Sequence, residues 1–321
     1  MGTGPTGTDA DPRPLTEMTS DFDCLIIGGG PAGLTAAIYL SRFHLSVRVI
    51  DEGQSRALWI PTSHNHAGFP DGIAGSELLE RMRAQAVKYG SQLSTGRVST
   101  LTVGEGGFEA EWGEGIRRAK TVLIATGVQN RRPSIDEELH ATALADGLIR
   151  YCPVCDGYEV TDADVGVIGT GERGLGEAMF LRSFTPRVTL IAPDGQHELD
   201  VSELGQVAEY GIRLVNGPAH ITASENDRIA VDTGEGALTF DTIYPALGSD
   251  TNSALAIAIG ADTNEFGCIK VDSHQRTNIP RLYAGGDVVI GLDQISHAMG
   301  EGGVAATTIR NDLSDIAPLL R

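Results

Sequence analysis

The sharpest chemistry in the chain belongs to Cys152 and Cys155, within Tyr151-Cys152-Pro153-Val154-Cys155-Asp156-Gly157. Two thiols at this spacing close a small disulfide, and one thiol falls from about 8.5 toward about 7, which makes a usable thiolate at neutral pH. That is the chemistry of dithiol-disulfide exchange. Asp156 follows directly, where a carboxyl of raised proton affinity can hand a proton to a departing thiolate or take one from an attacking thiol. Its alternative is a turn residue before Gly157. A zinc site needs four ligands, and the other cysteines, Cys24 and Cys268, are single and sit in apolar, strand-like runs, so no metal is expected.

Elements that position a cofactor lie on either side of this pair. A strand over 22–27 runs into Gly28-Gly29-Gly30-Pro31-Ala32-Gly33 and a helix over 34–43. The glycines permit a tight turn and let backbone amides approach a pyrophosphate, toward which the helix N-terminus adds about half a positive charge. A second strand over 47–50 follows, and Asp51 and Glu52 arrive about twenty residues after the glycines, where a carboxylate accepts from ribose hydroxyls. The unit reads as the βαβ start of a dinucleotide-binding domain. A polar loop over 53–69 holds Arg56, Trp59, His64, Asn65 and His66 and is expected to cover the ligand, with the histidines either solvated or catalytic. Helix 75–89 and short strands over 92–112 come next. A strand over 121–124 then ends in Ala125-Thr126-Gly127, small enough for close passage beside a cofactor.

Near the end of the chain, a strand from Arg281 closes on Gly285-Gly286-Asp287, with Asp287 placed to accept a hydrogen bond from a cofactor's sugar-alcohol chain. A glycine-rich helix start is read over 294–303, opening with Gln294 and Ile295, and a helix over 303–313 is expected to aim its N-terminus at the cofactor. A second strand and glycine loop, Gly169-Thr170-Gly171-Glu172-Arg173-Gly174, makes Gly169, Gly171 and Gly174 candidates for another nucleotide. After its partner strand comes Ala192-Pro193-Asp194, with no Arg or Lys to meet a 2'-phosphate, so NADH is favoured over NADPH, or nothing binds and the loop serves the architecture.

At 321 residues and with 41 glycines, the chain suits an α/β protein of two ordinary domains. A net charge of -19 opposes phosphate backbones and anionic lipid, so neither nucleic acid nor membrane is an expected partner. One close cysteine pair without a signal-peptide-like start points to a cytoplasmic protein. Residues 1–20 read as a flexible tail, and the match of Met1–Thr6 to a loose myristoylation pattern reads as coincidence.

Over nearly its whole length from Phe22 the chain resembles the low-molecular-weight thioredoxin reductase family of flavoproteins. The carrying motifs are the first glycine loop, the run 72–79, Ala125-Thr126-Gly127, Cys152-Pro153-Val154-Cys155-Asp156-Gly157 and Ala284-Gly285-Gly286-Asp287. The resemblance implies FAD as cofactor, homodimers, and two Rossmann-like domains, the second inserted into the first. Residues 21–131 and 244–321 then form the FAD domain and 132–243 the insert, which rotates between two positions. It implies that Cys155 contacts the flavin, Cys152 attacks a partner disulfide and Asp156 donates the proton. Cofactor contacts fall on Gly28, Gly30, Pro31, Ala32, Gly33, Asp51, Glu52 and Asn65, then on Ala125, Thr126, Gly127, Gly286, Asp287, Gln294 and Ile295. His297 comes near the flavin as a base or a packing residue.

The partner is a thioredoxin-like protein or a small dithiol or disulfide. Typical members carry a His-Arg-Arg cluster where Ala192-Pro193-Asp194 stands, and Arg-Gln where Asp293-Gln294 stands, so the electron donor is open among NADH, NADPH, ferredoxin and a second flavin. Branches that oxidise small dithiols with oxygen remain an alternative activity, and a flavin-binding sensor without turnover is an alternative of another class.

Overall fold

The structure is a computed structural model that describes residues 21–320; the tail and its Met1–Thr6 pattern lie outside the described residues. In chain order, β1 (Phe22–Ile27), α1 (Pro31–Arg42), β2 (Val47–Asp51), α2 (Gly75–Lys88), β3 (Gln92–Thr95), β4 (Thr100–Gly104), β5 (Gly107–Trp112) and β6 (Gly115–Ile124) build the first body. The chain then crosses over through β7 (Val128–Asn130) to α3 (Glu137–Ala145), α4 (Pro153–Asp156), β8 (Asp164–Ile168), α5 (Gly171–Leu181), β9 (Arg187–Ile191), α6 (Val201–Tyr210) and β10 (Arg213–Val215). A meander of β11 (His220–Glu225), β12 (Arg228–Thr233) and β13 (Gly236–Phe240) precedes β14 (Thr242–Pro245). The return runs through β15 (Ser249–Thr251) to α7 (Ala254–Ala258), β16 (Leu282–Ala284) and α8 (Ile295–Ile316).

The first sheet is ordered β3-β2-β1-β6-β5-β4, with β16 joining β6. Strand β6 is shared: β1 runs parallel along one edge, while the other pairs antiparallel with β5 and then parallel with β16. Successive side chains of a strand face opposite ways. Leu25 and Ile27 therefore enter one core with Phe108 and Val122, and Cys24 and Ile26 enter a second with Leu40, Tyr283 and Ile309. The second sheet, β10-β9-β8-β14, is parallel throughout. The meander covers one face of it and α5 and α6 the other. The two crossings between the bodies lie side by side as the antiparallel pair β7–β15. Among the described residues no helix is long and apolar enough to cross a membrane.

Several expected elements shift. Helix α1 begins at Pro31 and not at Leu34, because proline's missing N–H is an orphan at a first helical position anyway. The final helix is one element of 22 residues, Ile295–Ile316, which joins the expected glycine-rich helix start over 294–303 and the helix over 303–313 into a single run. Gly300, Gly302 and Gly303 lie inside it, although each costs about 0.5–1 kcal/mol relative to Ala in a helix. Packing overrides that preference: a Cβ on Gly302 would lie 2.3 Å from the Ala32 carbonyl oxygen, so this glycine lets α8 lie directly on α1.

The loop over 53–69 is more structured than its polarity predicts. Arg56–Trp59 forms a turn of 3-10 helix, Ser63 bridges Ile73, and Ala57, Ser63 and His66 are buried. The bare backbone of Gly75 permits this, because a Cβ there would meet the Ala57 carbonyl oxygen. Helix α5 stops at Leu181.

Candidate active site

Strand β1 ends where Gly28 takes φ +111°, and a Cβ there would lie 2.2 Å from the Ala125 carbonyl oxygen. Gly29 is as tightly placed, 2.6 Å from the Asp51 carboxyl carbon by the same measure. A side chain at either position would close the turn, so the glycines form a bare-backbone cradle at the N-terminus of α1. Gly33 serves a different end: its missing Cβ would fall 2.0 Å from the Gly28 carbonyl oxygen, so it lets the first turn of α1 sit on the cradle.

From this cradle a cavity of about 1050 Å³ runs to the cysteine pair. Ligand pockets usually span roughly 300–1,000 Å³, so an extended dinucleotide is the class of cofactor that fits. Gly28, Gly30, Pro31 and Ala32 line one end, followed by Asp51 and Glu52. Ala125, Thr126 and Gly127 line it as well, together with Gly286, Asp287, Asn65, Gln294 and Ile295 and with Cys152, Cys155 and Asp156. All the expected cofactor positions except Gly33 therefore meet on one wall system. Asp51 is held by Arg83 at 3.0 Å, and Asp287 by Arg56 at 3.2 Å. Burial raises the proton affinity of Asp287 despite Arg56.

Cys152 and Cys155 are joined as a disulfide. Pro153 opens the one-turn helix between them, and the Cys155 amide donates to the Cys152 sulfur at 3.2 Å. Gln294, the residue that precedes α8, reaches across from the first body and places its Nε2 3.3 Å from both sulfurs. Asp156 is fixed from two sides: the Tyr244 hydroxyl donates to Oδ1 at 2.8 Å and Arg150 to Oδ2 at 3.1 Å. Burial nevertheless dominates, and it raises the carboxyl above the ordinary carboxylate range while Arg150 and Tyr244 pull the other way. The arrangement can open a disulfide and manage a proton beside it. By contrast, burial pushes the Cys24 thiol in β1 up to about 12, which removes it from thiolate chemistry.

The histidines separate. His64 lines the cavity. His66, expected to be a solvated loop residue unless catalytic, is buried, stacks on Phe69 at 5.4 Å and contacts the Ser296 hydroxyl at 3.2 Å. His297 lies 3.1 Å from Glu301, whose other oxygen accepts from the Gly286 amide at 2.7 Å. It does not reach the cavity wall. Gly169, Gly171 and Gly174 also lie outside the cavity. Over their loop the segment 193–200 is tied down. The Glu198 amide donates to Thr170 Oγ1 at 2.8 Å, and His197 Nε2 sits 3.1 and 2.9 Å from the carbonyls of Leu190 and Val215.

Sequence reasoning missed Arg150, Tyr244 and Ser63. Arg150 carried a faint signal, being a cation two residues before the pair, but nothing in the sequence links Tyr244 to Asp156. An aromatic cluster was missed as well: Trp59 from the first body packs on Tyr151 at 5.3 Å and His140 at 5.5 Å, with Arg132 over its ring at 4.8 Å.

Residues 22–302 match the family model of pyridine nucleotide-disulphide oxidoreductases. The chain is 32% identical to the thioredoxin reductase of Streptomyces clavuligerus over 300 residues, covering 85% of this chain and 87% of that protein. It is 30% identical to that of Treponema pallidum over 307 residues, covering 90% and 96%. Among solved structures it is similar to HlmI, with TM-score 0.83 and 26% identity over 92% of this chain and 93% of that one. It is also similar to the thioredoxin reductase from Streptococcus pyogenes, with TM-score 0.82 and 28% identity over 92% and 98%. With a cradle, a cavity and a redox-capable pair along one path, the chain belongs to the pyridine nucleotide-disulphide oxidoreductases, among the low-molecular-weight thioredoxin reductase-like enzymes whose cofactor is FAD.

Proposed function

We propose that this chain is a FAD-dependent dithiol-disulfide oxidoreductase of thioredoxin reductase type, moving electron pairs between flavin and Cys152/Cys155 and on to the disulfide of a thioredoxin-like protein. The observation that carries this reading is that the disulfide and the glycine cradle share one cavity, with Gln294 touching both sulfurs. FAD, when bound, supplies the two-electron exchange with the disulfide. The cradle of Gly28 and Gly30 holds the pyrophosphate, Asp51 or Glu52 the ribose, and Asp287 the sugar-alcohol chain. Cys155 faces the cofactor, Cys152 attacks the partner disulfide, and Asp156 holds the proton that the leaving thiolate takes up. The FAD domain comprises 21–131 and 244–321, and the insert 132–243; because β14 (Thr242–Pro245) pairs with β8 of the insert, the second boundary is better drawn just past Pro245. Replacing Cys152 with Ser is expected to abolish thioredoxin reduction while the flavin stays bound. Full turnover in Cys152→Ser, or oxidation of small dithiols by oxygen with no activity on thioredoxin, would refute the assignment.

The donor is not NADPH in this reading. Asp194, Glu198 and Asp200 are exposed around the second glycine loop, and no Lys or Arg stands between Ala192 and Asp200. A 2'-phosphate brought there lacks the cationic fork that normally offsets its desolvation. Discrimination against it is expected to be at least about 1.4 kcal/mol, or tenfold. Stopped-flow mixing checks this, and rapid flavin bleaching by micromolar NADPH would sink it.

A further inference from the structure

We propose that Gln294 acts on the sulfurs themselves: its side-chain amide, locked in one orientation by Asn65 and Ser63, donates the hydrogen bond that stabilises the thiolate formed when Cys152–Cys155 opens. The inference rests on the reading of that pair as the redox centre. Ser63 Oγ donates to Asn65 Oδ1 at 3.1 Å, and Asn65 Nδ2 donates to Gln294 Oε1 at 3.0 Å. Gln294 Nε2 then stands 3.3 Å from each sulfur. A side-chain amide has one accepting end and one donating end. The Val154 carbonyl can only accept, and its contact with Asn65 Nδ2 at 3.5 Å fixes which end of Asn65 is the NH2. That NH2 occupies Gln294 Oε1, so the nearer group Gln294 presents to the sulfurs is its N–H at 3.3 Å, with Oε1 at 3.6 Å from Cys155 Sγ. The head of this chain is rigid, because Ser63 is buried and exchanges two backbone hydrogen bonds with Ile73.

The donor gains most after cleavage. The sulfurs of a disulfide accept weakly, whereas a thiolate is a full anion and its hydrogen bonds are charge-assisted. When a dithiol reductant opens the pair, the S–S bond breaks and the reductant's own two sulfurs join. Two electrons and two protons are transferred; one proton stays on the second cysteine and the other leaves to solvent as the stabilised thiolate ionises. Ser63, Asn65 and Gln294 belong to the first body and the cysteines to the second, so the relay is complete only while the pair is docked in the cavity.

The test titrates the thiols of the flavin-loaded protein: reduction by dithiothreitol, then iodoacetamide labelling of Cys152 and Cys155 across pH, read by mass spectrometry. The wild-type midpoint is expected well below the ordinary thiol value of about 8.5. Gln294→Met is expected to raise it by about one pH unit, so that labelling at pH 7 slows about tenfold. Gln294→Glu, which presents an acceptor, is expected to raise it further, and Asn65→Ala, which frees the amide to turn, to raise it less. A Gln294 that merely fills space predicts wild-type midpoints throughout. Unchanged midpoints in all three variants, at wild-type flavin content, would overturn the relay and leave the redox centre standing. A wild-type pair that is neither reduced nor labelled would overturn both.

Discussion

Glu177, on α5 after the second glycine loop, has its Oε2 atom buried with no hydrogen-bond partner among the described residues, and burial pushes its carboxyl from 4.5 up to about 7, against the pull of Arg173 one turn earlier. A carboxyl whose proton affinity is raised by folding contributes stability that is full below its unfolded value and is lost as pH rises through the folded one. The window therefore runs from 4.5 to about 7. At about 1.4 kcal/mol for each tenfold in proton affinity, crossing the whole window costs about 3 kcal/mol. Glu177→Gln keeps the shape and cannot ionise; its own amide adds a cost that does not vary with pH. Urea unfolding of variant and wild type at pH 5.5 and 8.5 isolates the ionisation, and the lower pH keeps clear of the isoelectric point near 4.7. Part of the window is already crossed at pH 5.5, so the advantage of the variant is expected to grow by about 2 kcal/mol at pH 8.5. An equal difference between the two proteins at both pH values would refute the reasoning.

Two further outcomes follow from the packing and from Asp156. Removing the Arg150 cation with Arg150→Met is expected to raise the Asp156 carboxyl further, moving the Asp156-dependent limb of the pH–rate profile to higher pH, and Asp156→Asn is expected to erase that limb. Identical profiles in wild type and Arg150→Met would disconnect the two residues. In α8, Gly302→Val forces a side chain against the Ala32 carbonyl and is expected to cost at least about 1–3 kcal/mol. Gly300→Ala, with open space around its position, is expected to be neutral or to gain up to about 1 kcal/mol. Unfolding curves of the two variants check the contrast, and equal losses would show that α8 does not depend on its contact with α1.

The chemistry of this protein is largely legible in single short stretches, because a tight turn and a dithiol depend on neighbours along the chain. The cradle from Gly28 to Ala32, Asp51 and Glu52 at the end of β2, and Cys152, Cys155 and Asp156 all line one cavity, for glycine spacing and thiol spacing are local constraints. What surrounds them is not local. Asp156 owes its setting to Arg150 and to Tyr244, the latter 88 positions away, and burial decides its proton affinity. The sulfurs meet Gln294 across 142 and 139 positions. Gly302 has the composition of a helix breaker and becomes a contact point once α1 lies beside it. The two glycine loops look alike in sequence, yet the first opens on the cavity while the second lies apart under Glu198. Local sequence specifies which atoms can turn, ionise or exchange electrons. Which of them face one another, and how dry they are, follows from packing between segments distant along the chain, and only the tertiary structure decides that.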